Sequence, residues 1–375
     1  MRTITAQAYD DLLLTRRPLL DLRAPVEFAR GAVPGAASLP LMTDEERAQV
    51  GARYKAEGQD AAVALGHALV SGSVRRQRLE AWCAWADAHP DGAMYCFRGG
   101  LRSQTAQAWL AETGRELPLV EGGYKALRRH LIDRLERCTR ALRPIVIGGR
   151  TGTAKTTLIE RVPRSVDLEG LANHRGSAFG RRVGGQPTPV DFENALALRL
   201  MRLAQQGDQP IAVEDESRNV GRLSVPPSLL ERMGSAPIAL VEMPLAFRVD
   251  VTLNAYIIGA CDEHIAAYGV TDGFARFADQ LRDSLTRIRK RLGGQRHDEV
   301  SKQLEVALAQ HRRDGDTDAH RIWIERLLVE YYDPMYDYQL EKKLDRVAFR
   351  GTLEAVHDWV TEHTQASVNG DRERP

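Results

Sequence analysis

The sequence predicts an α/β protein: two successive parallel-sheet domains followed by a mainly helical C-terminal part. Three observations carry that reading. Through the first 140 residues, short apolar runs alternate with segments of helical period, as in a layered α/β domain. At Pro144 the alternation restarts, with an apolar run leading into a glycine-rich turn. From Phe274 onward the apolar residues fall almost entirely at helical spacing. A chain of 375 residues has room for two or three cores, and 43% hydrophobic with 27% charged residues is ordinary for a globular protein.

Pro18 to Leu22 reads as a core strand, and residues 42–72 as a long helical insertion rather than a bare loop. Val74–Ala88 follows as a helix, Ala93–Tyr95 as a strand, Ser103–Thr113 as a helix and Leu117–Val120 as a strand. After Gly122 and Gly123, Tyr124–Cys138 forms a basic helix that completes a first domain over 1–138, with 139–144 as linker. The second domain, 145–270, opens on the strand Pro144–Ile147 and a helix from Lys155. It continues with strands at Val166–Leu168, Ile211–Glu214 and Ile238–Val241 and a helix over Asp191–Gln206. Helices over Phe274–Leu292, Glu299–Gln310 and Ala319–Tyr331 fill 271–366 and pack on the second domain, and 367–375 makes a polar, disordered tail.

A net charge of +1 excludes a wholesale polycation, so any nucleic-acid contact must come from local basic patches. No apolar run approaches the roughly 20 residues that cross a bilayer. Met1 to Asp10 lacks the basic-then-apolar plan of a signal peptide, so a soluble, cytoplasmic protein without membrane contact is expected. Cys83, Cys96, Cys138 and Cys261 form no C-x-x-C pair, which argues against disulfides and zinc. Cys83, Cys138 and Cys261 carry no motif and are assigned to packing.

Cys96 differs. Tyr95-Cys-Phe-Arg-Gly-Gly-Leu-Arg-Ser103 lies between a short strand and a helix. Gly99 and Gly100 let successive N–H groups turn toward one centre as an anion nest. The helix that follows adds its positive end, and Arg98 and Arg102 add formal charge. Each feature favours a thiolate over a thiol, which makes Cys96, Arg98 and Arg102 the candidate catalytic set of a nucleophilic cysteine.

A second stretch supports it. Leu20-Asp-Leu-Arg-Ala-Pro-Val-Glu-Phe28 and Gly31-Ala-Val-Pro-Gly-Ala-Ala-Ser-Leu-Pro40 closely resemble the N-terminal signature of rhodanese domains, so the first domain is expected to be rhodanese-like over roughly 5–137. One departure keeps a rival open. Five residues separate Cys96 from Arg102, one more than in the usual sulfurtransferase loop, and this resembles the C-x5-R loop of rhodanese-related phosphatases. The wider loop equally suits a larger donor such as selenophosphate.

Gly148-Gly-Arg-Thr-Gly-Thr-Ala-Lys-Thr-Thr157 follows a strand and opens a helix, the context of a Walker A phosphate loop. Gly149, Gly152, Lys155 and Thr156 are its phosphate-binding candidates; Ala154 stands where glycine is usual, altering the loop without removing its N–H. Ile211-Ala-Val-Glu-Asp-Glu-Ser-Arg218 has the form of a Walker B strand, so Asp215 or Glu214 would hold Mg²⁺ together with Thr156. The polar, glycine-rich string Leu168 to Phe179 and the turn at Arg218 are candidate substrate loops, with His174, Arg175 and Arg218 as their side chains.

A rhodanese domain joined to a P-loop NTPase-like domain, with Glu214 to Gly221 and Asn173 to Gly180, resembles the tRNA 2-selenouridine synthase family over about residues 1–365. The resemblance implies action on the wobble uridine in the anticodon arm of tRNAs for lysine, glutamate and glutamine. There 2-thiouridine is S-geranylated from geranyl diphosphate, and selenium from selenophosphate then replaces the geranylthio group. Cys96 matches the family's reactive cysteine, thought to carry selenium. Lys155 would hold the diphosphate of geranyl diphosphate. A selenophosphate-producing enzyme is an implied partner, and neither haem nor flavin is implied.

The RNA needs basic surface. Arg128 and Arg129, with Arg134, Arg137 and Arg140, form one cluster; Arg289, Lys290 and Arg291, with Arg282, Arg287 and Arg296, form another. Tyr331, Tyr332, Tyr336 and Tyr338 could stack on bases but read better as core. Two other readings stand beside this one. The first is a sulfurtransferase or phosphatase with a nucleotide-binding regulatory domain. The second is a nucleotide-dependent binding module, against which the intact cysteine loop speaks.

Overall fold

Pairing of the short apolar runs gives two five-stranded parallel sheets. The computed structural model describes residues 2–365, which divide into two units: 2–138 with 188–202, and 139–187 with 203–365. The expected tail at 367–375 lies outside the described residues.

The first unit holds β1 (Thr3–Ile4), β2 (Leu19–Asp21), β3 (Ala37–Ser38), β4 (Ala93–Tyr95) and β5 (Leu119–Val120), in the order β1-β5-β4-β2-β3. Its helices are α1 (Tyr9–Leu14), α2 (Pro25–Phe28), α3 (Asp44–Leu69), α4 (Gly72–Ala88), α5 (Leu101–Ala111) and α6 (Gly123–Ala141). β2 and β4 are neighbours whose chains continue toward opposite edges of the sheet. That is a topological switch point, where the carboxyl ends of parallel strands leave a crevice. The core joins Leu20, Met94 and Leu110 to Trp82, which stacks on Trp109 at 6.2 Å. Thr43 starts α3 with a capping box, accepting from Glu46 N at 3.2 Å while Glu46 Oε2 accepts from Thr43 N at 2.8 Å. The segment 188–202 belongs to this unit: Asp191 accepts from Ala32 N at 2.8 Å, and Asn194 donates to Ala32 O at 2.7 Å.

The second unit holds β6 (Pro144–Gly149), β7 (Ser165–Val166), β8 (Ile211–Glu214), β9 (Asn219–Val220), β10 (Leu223–Ser224), β11 (Ile238–Val241) and β12 (Val347–Gly351). Its main sheet runs β12-β11-β6-β8-β7, all parallel, while β9 and β10 make a small antiparallel ribbon. Around them lie α7 (Lys155–Arg161), α8 (Leu168–Leu171), α9 (Pro189–Gln205, shared with the first unit), α10 (Pro227–Gly234) and α11 (Leu245–Leu253). Then come α12 (Gly259–Tyr268), α13 (Val270–Leu292), α14 (Gly294–Asp314), α15 (His320–Leu327), α16 (Asp333–Glu341) and α17 (Leu353–Thr364). Phe277, Leu281, Leu285, Ile288 and Leu292 line one face of α13 and bury it in a helical core. Two π-helical turns, Asn254–Ile258 and Leu328–Tyr332, interrupt that helical part. Among the described residues no helix is long and apolar enough to cross a membrane.

Four expectations change. The helix expected over Asp191–Gln206 in the second domain gives residues 188–202 to the first unit. Residues 139–141, expected as linker, continue α6. The helical region is not a terminal appendage to a sheet ending at 270, because β12 returns to pair with β11 and extends the sheet. Its five residues, half-buried in alternation, are too short and mixed to stand out from helical surroundings. Finally, α5 starts at Leu101 rather than Ser103, which places Arg102 and Ser103 in its first turn.

Candidate functional site

β4 is fully buried and delivers Cys96, 3% exposed, to the carboxyl end of the first sheet. The turn after it is held from behind by α6: Tyr124 N donates to Cys96 O and Lys125 N to Phe97 O, both at 2.9 Å. Gly123 is required there, since a Cβ would lie 2.3 Å from Cys96 O. Gly99, at φ +66°, packs against the same Gly122–Gly123 backbone. Among the described residues, none accepts from the N–H groups of Phe97 through Arg102. Successive N–H groups left free on the turn that carries the sulfur are the kind of donors an anion nest uses. Cys96 Sγ lies 3.2 Å from Ser103 Oγ, whose hydroxyl also reaches Gly100 O at 3.0 Å.

The two arginines part company. Arg98 is exposed beside the loop, whereas Arg102 makes a two-pronged ion pair with Glu27, at 2.6 and 3.2 Å. Burial works to raise the Glu27 carboxyl, but Arg102, the Ala24 N–H and Arg47 outweigh it and hold the group below its usual range. Arg102 therefore fixes the loop's flank rather than offering a free positive charge to the sulfur. The Asp21–Arg23 pair of the N-terminal signature is buried, with Arg23 Nη2 also donating to Gly31 O at 2.9 Å and its guanidinium 3.6 Å over the Tyr124 ring. It braces the end of β2 beside the cysteine turn.

In the second unit β6 ends at Gly149, and the loop to α7 wraps tightly. A Cβ on Gly152, at φ +84°, would lie 2.5 Å from Arg248 O. Ala154 occupies the left-handed region (φ +61°, ψ +33°), the conformation that makes glycine usual there. Lys155 Nζ donates to Gly149 O at 2.6 Å and faces a group of carboxyls. Thr156 Oγ1 donates to Glu169 Oε2 at 3.2 Å, and Glu214, at the end of β8, accepts from Glu169 N at 3.0 Å. Burial first, and then mutual repulsion, raises Glu214 well above the carboxylate range and pushes Glu216 up to about 8. Glu169 is raised by burial despite Lys155, and accepts a hydrogen bond from Glu216. At neutral pH this group holds protons as well as charge.

Asp215 is close enough to push Glu216 up further, but it has a partner of its own. Its carboxylate takes Lys343 Nζ at 2.7 and 3.1 Å, while Thr156 Oγ1 bonds Glu169 instead. Among the described residues no three His, Cys, Asp or Glu side chains are placed to hold a metal. The loop is instead clamped by arginines: Arg248 donates to Thr151 O at 2.9 Å and pairs with Asp333, and Arg150 pairs with Asp337 at 2.7 Å.

His174 is buried, with ring Nδ1 lacking a partner among the described residues. Burial, followed by Arg287, Arg181 and Arg175, lowers its basicity, so it is a neutral ring packed near Gly221. Arg175 is tied to Glu263 at 2.7 Å, and its carbonyl accepts from Tyr256 OH at 2.8 Å, while Ser177 Oγ meets Tyr332 OH at 2.9 Å. Both tyrosines come from the π-helical turns, which therefore pin the 174–180 loop. Arg218 is exposed.

Of the RNA candidates, Arg128 is committed to Glu193 and to Asn194 at 2.7 Å, and Arg134 to Asp10 at 2.6 Å; Arg129 stays exposed. Arg282 is taken by Asp279 and Glu305. Lys290 and Arg291 are exposed at the end of α13, and Arg289 is only 4.0 Å from Asp298. Tyr332 is buried; Tyr338 is exposed under Lys342. Sequence reasoning missed Ser103, Glu27, Glu169, Glu216 and Arg248. Ser103 had a signal in its place directly after the C-x5-R loop, Glu27 in the Leu20–Phe28 signature, Glu169 in the Leu168–Phe179 string and Glu216 in the acidic end of β8; Arg248 had none.

The family model described as the tRNA 2-selenouridine synthase AAA domain matches residues 142–367. A tRNA 2-selenouridine synthase of Hahella chejuensis is 51% identical over 367 residues, covering 97% of each chain. One of Pseudomonas fluorescens is 48% identical over 95% of this chain and 98% of its own, and one of Alcanivorax borkumensis 51% identical over 93% and 96%.

Proposed function

We propose a reaction for this chain from one premise: it belongs to the tRNA 2-selenouridine synthase family. The substrate is a tRNA, and the product carries 2-selenouridine in place of wobble 2-thiouridine in the tRNAs for lysine, glutamate and glutamine. Sulfur is first alkylated by geranyl diphosphate, which turns it into a leaving group. Selenophosphate then supplies selenium. The glycine loop with Lys155 takes the diphosphate, and the Glu169–Glu216 pair, poised to exchange a proton near neutrality, accepts the uridine N3 proton that S-alkylation releases.

The rhodanese-like first unit performs the exchange. The observation that carries this is the turn after β4, whose N–H groups from Phe97 to Arg102 have no acceptor among the described residues and whose Cys96 Sγ lies 3.2 Å from Ser103 Oγ. Selenophosphate already holds selenium at the level of a selenide, so its transfer needs no redox partner. Its selenium attacks C2, and geranylthiolate leaves with the C2–S electron pair. Cys96 Sγ then attacks phosphorus. The Se–P pair returns to selenium as 2-selenouridine, and water releases phosphate from Sγ. Placing selenium itself on Cys96 would need an oxidant, so the C-x5-R spacing fits a phosphoryl acceptor better than a selenium carrier.

Nucleosides from a deletion strain expressing variants, separated by mass spectrometry, test both halves. Cys96→Ser is expected to lose 2-selenouridine and keep S-geranyl-2-thiouridine; Lys155→Ala is expected to lose geranylation. If Lys155→Ala geranylates normally and fails only to selenate pre-geranylated RNA, the diphosphate assignment is wrong. A brief reaction with selenophosphate and S-geranyl RNA should leave a phosphoryl group on Cys96. An adduct with selenium's isotope envelope would refute that role.

A further inference from the structure

The first unit has a large cavity that no step above uses. It measures about 470 Å³ and is walled by α3 and one face of α5. Gly58 breaks α3 with φ +84° and ψ −171°, a conformation readily open to glycine. The two arms fold back on each other, for a Cβ on Gly66 would lie 3.8 Å from Val50 Cγ2, and those residues stand equally far from the bend. Val50 and Tyr54 on one arm, with Ala62 and Val63 on the other, face the space at helical spacing, and Leu101 and Trp109 complete it.

The charged lining is a pair of arginines. Arg102 and Arg47 both line the cavity and both reach Glu27, at 2.6 and 4.0 Å. The pair adjoins the turn that carries Cys96, since Arg102 and Ser103 are consecutive in the first turn of α5. A mostly apolar space of this size with a few polar side chains, here Arg47, Arg102, Thr105, Gln59 and His67, is the usual form of a small-ligand site, whose volumes run from about 300 to 1,000 Å³. Tyr54 and Leu101 line it while 57% and 51% exposed, leaving apolar surface that a hydrocarbon would cover. The fitting ligand has a hydrocarbon body and a polar head directed to the cysteine turn.

We infer that this cavity holds the hydrocarbon chain of an S-alkylated 2-thiouridine while the cysteine turn exchanges its sulfur. The inference rests on the reading of Cys96 given above and adds to it a binding site that makes chain length part of recognition. It also keeps the departing thiolate's chain out of water until selenium is in place.

The test uses the full chain, selenophosphate and synthetic anticodon-stem RNAs carrying S-geranyl- or S-methyl-2-thiouridine, with 2-selenouridine formation followed by mass spectrometry. In the unsubstituted protein the KM for S-methyl RNA should exceed that for S-geranyl RNA by at least about a hundredfold, because most of the buried carbon is gone. Val63→Trp, which fills the space, should raise KM for S-geranyl RNA roughly tenfold or more and leave S-methyl RNA nearly unchanged. Tyr54→Ser, at an exposed position that does not bear on folding, should shift KM in the same selective sense. Equal KM values for the two RNAs, or variant effects equal on both, would overturn the inference. If the unsubstituted protein converts neither RNA, the reading of Cys96 fails instead. The cavity is then judged by fluorescence anisotropy of RNA binding: a preference for S-geranyl that Tyr54→Ser abolishes supports it, and one that Tyr54→Ser leaves intact, or no preference at all, sinks it.

Discussion

Ser103 reaches Cys96 because α5 begins two residues sooner than its apolar pattern suggests, which turns the hydroxyl back over the loop. If Cys96 takes the phosphoryl group as proposed, a hydroxyl at 3.2 Å from Sγ would stabilise the sulfur as phosphate departs. Ser103→Ala should therefore slow turnover by roughly tenfold, the worth of one hydrogen bond, and let the phosphoryl adduct on Cys96 accumulate in quenched reactions. A merely structural serine would lower activity without building up that adduct. Glu216 gives a prediction in pH. Its folded-state value, pushed up to about 8 from an ordinary 4.5, means the folded chain keeps a proton that the unfolded chain releases. The stability this group contributes is fully present below about 4.5 and lost as pH rises toward 8. Glu216→Gln should thus melt progressively higher than the unsubstituted protein across that window, by calorimetry; a constant difference would show that Glu216 is already ionised. Residue types and motifs named Cys96, Lys155 and Thr156 from sequence alone. The ion pairs of Asp215 with Lys343 and of Arg102 with Glu27 were not legible there, because partners far away in the chain decide what those side chains face.

At the scale of elements, the strands that carry the sites were legible because each is a short apolar run closed by turn residues. Ile211–Glu214 and Ile238–Val241 coincide with the observed β8 and β11, and Ala93–Tyr95 with β4. What escaped were elements defined by tertiary pairing: β12, whose partner β11 lies 110 residues earlier, and the π-helical turns, which differ from α-helix only in hydrogen-bond register. The clamp on the phosphate loop escaped for the same reason. Arg248, 3% exposed on α11, joins Thr151 O to Asp333 of α16, and nothing in its own stretch of sequence marks it. Arg248→Ala should destabilise the second unit by about 3 kcal/mol or more, since Asp333 is left largely buried without its partner. Replacing both, Arg248→Met with Asp333→Leu, should recover most of that loss in denaturant melts while geranylation stays impaired, because Thr151 O still lacks its donor. Recovery of geranylation along with stability would mean the arginine serves folding alone.

For the whole molecule, a net charge of +1 across 375 residues means tRNA cannot be drawn by a uniform field. The basic clusters looked alike in sequence, and ion pairing separates them. Arg128, Arg134 and Arg282 spend their charge on Glu193, Asp10 and Glu305, whereas Lys290 and Arg291 remain exposed at the end of α13. Phosphate contacts release counterions, so each one lost lowers the slope of log K against log salt by about 0.7–0.9. Lys290→Ala with Arg291→Ala should therefore weaken tRNA binding and flatten that slope by about 1–2, with little change in melting temperature. Arg128→Ala should do the reverse, leaving the slope intact and lowering stability through the orphaned Glu193 and Asn194. Titrations of labelled tRNA at several salt concentrations separate the outcomes. An unchanged slope in the double variant would remove α13 from the RNA surface and move the search to Arg129 and its exposed neighbours on α6.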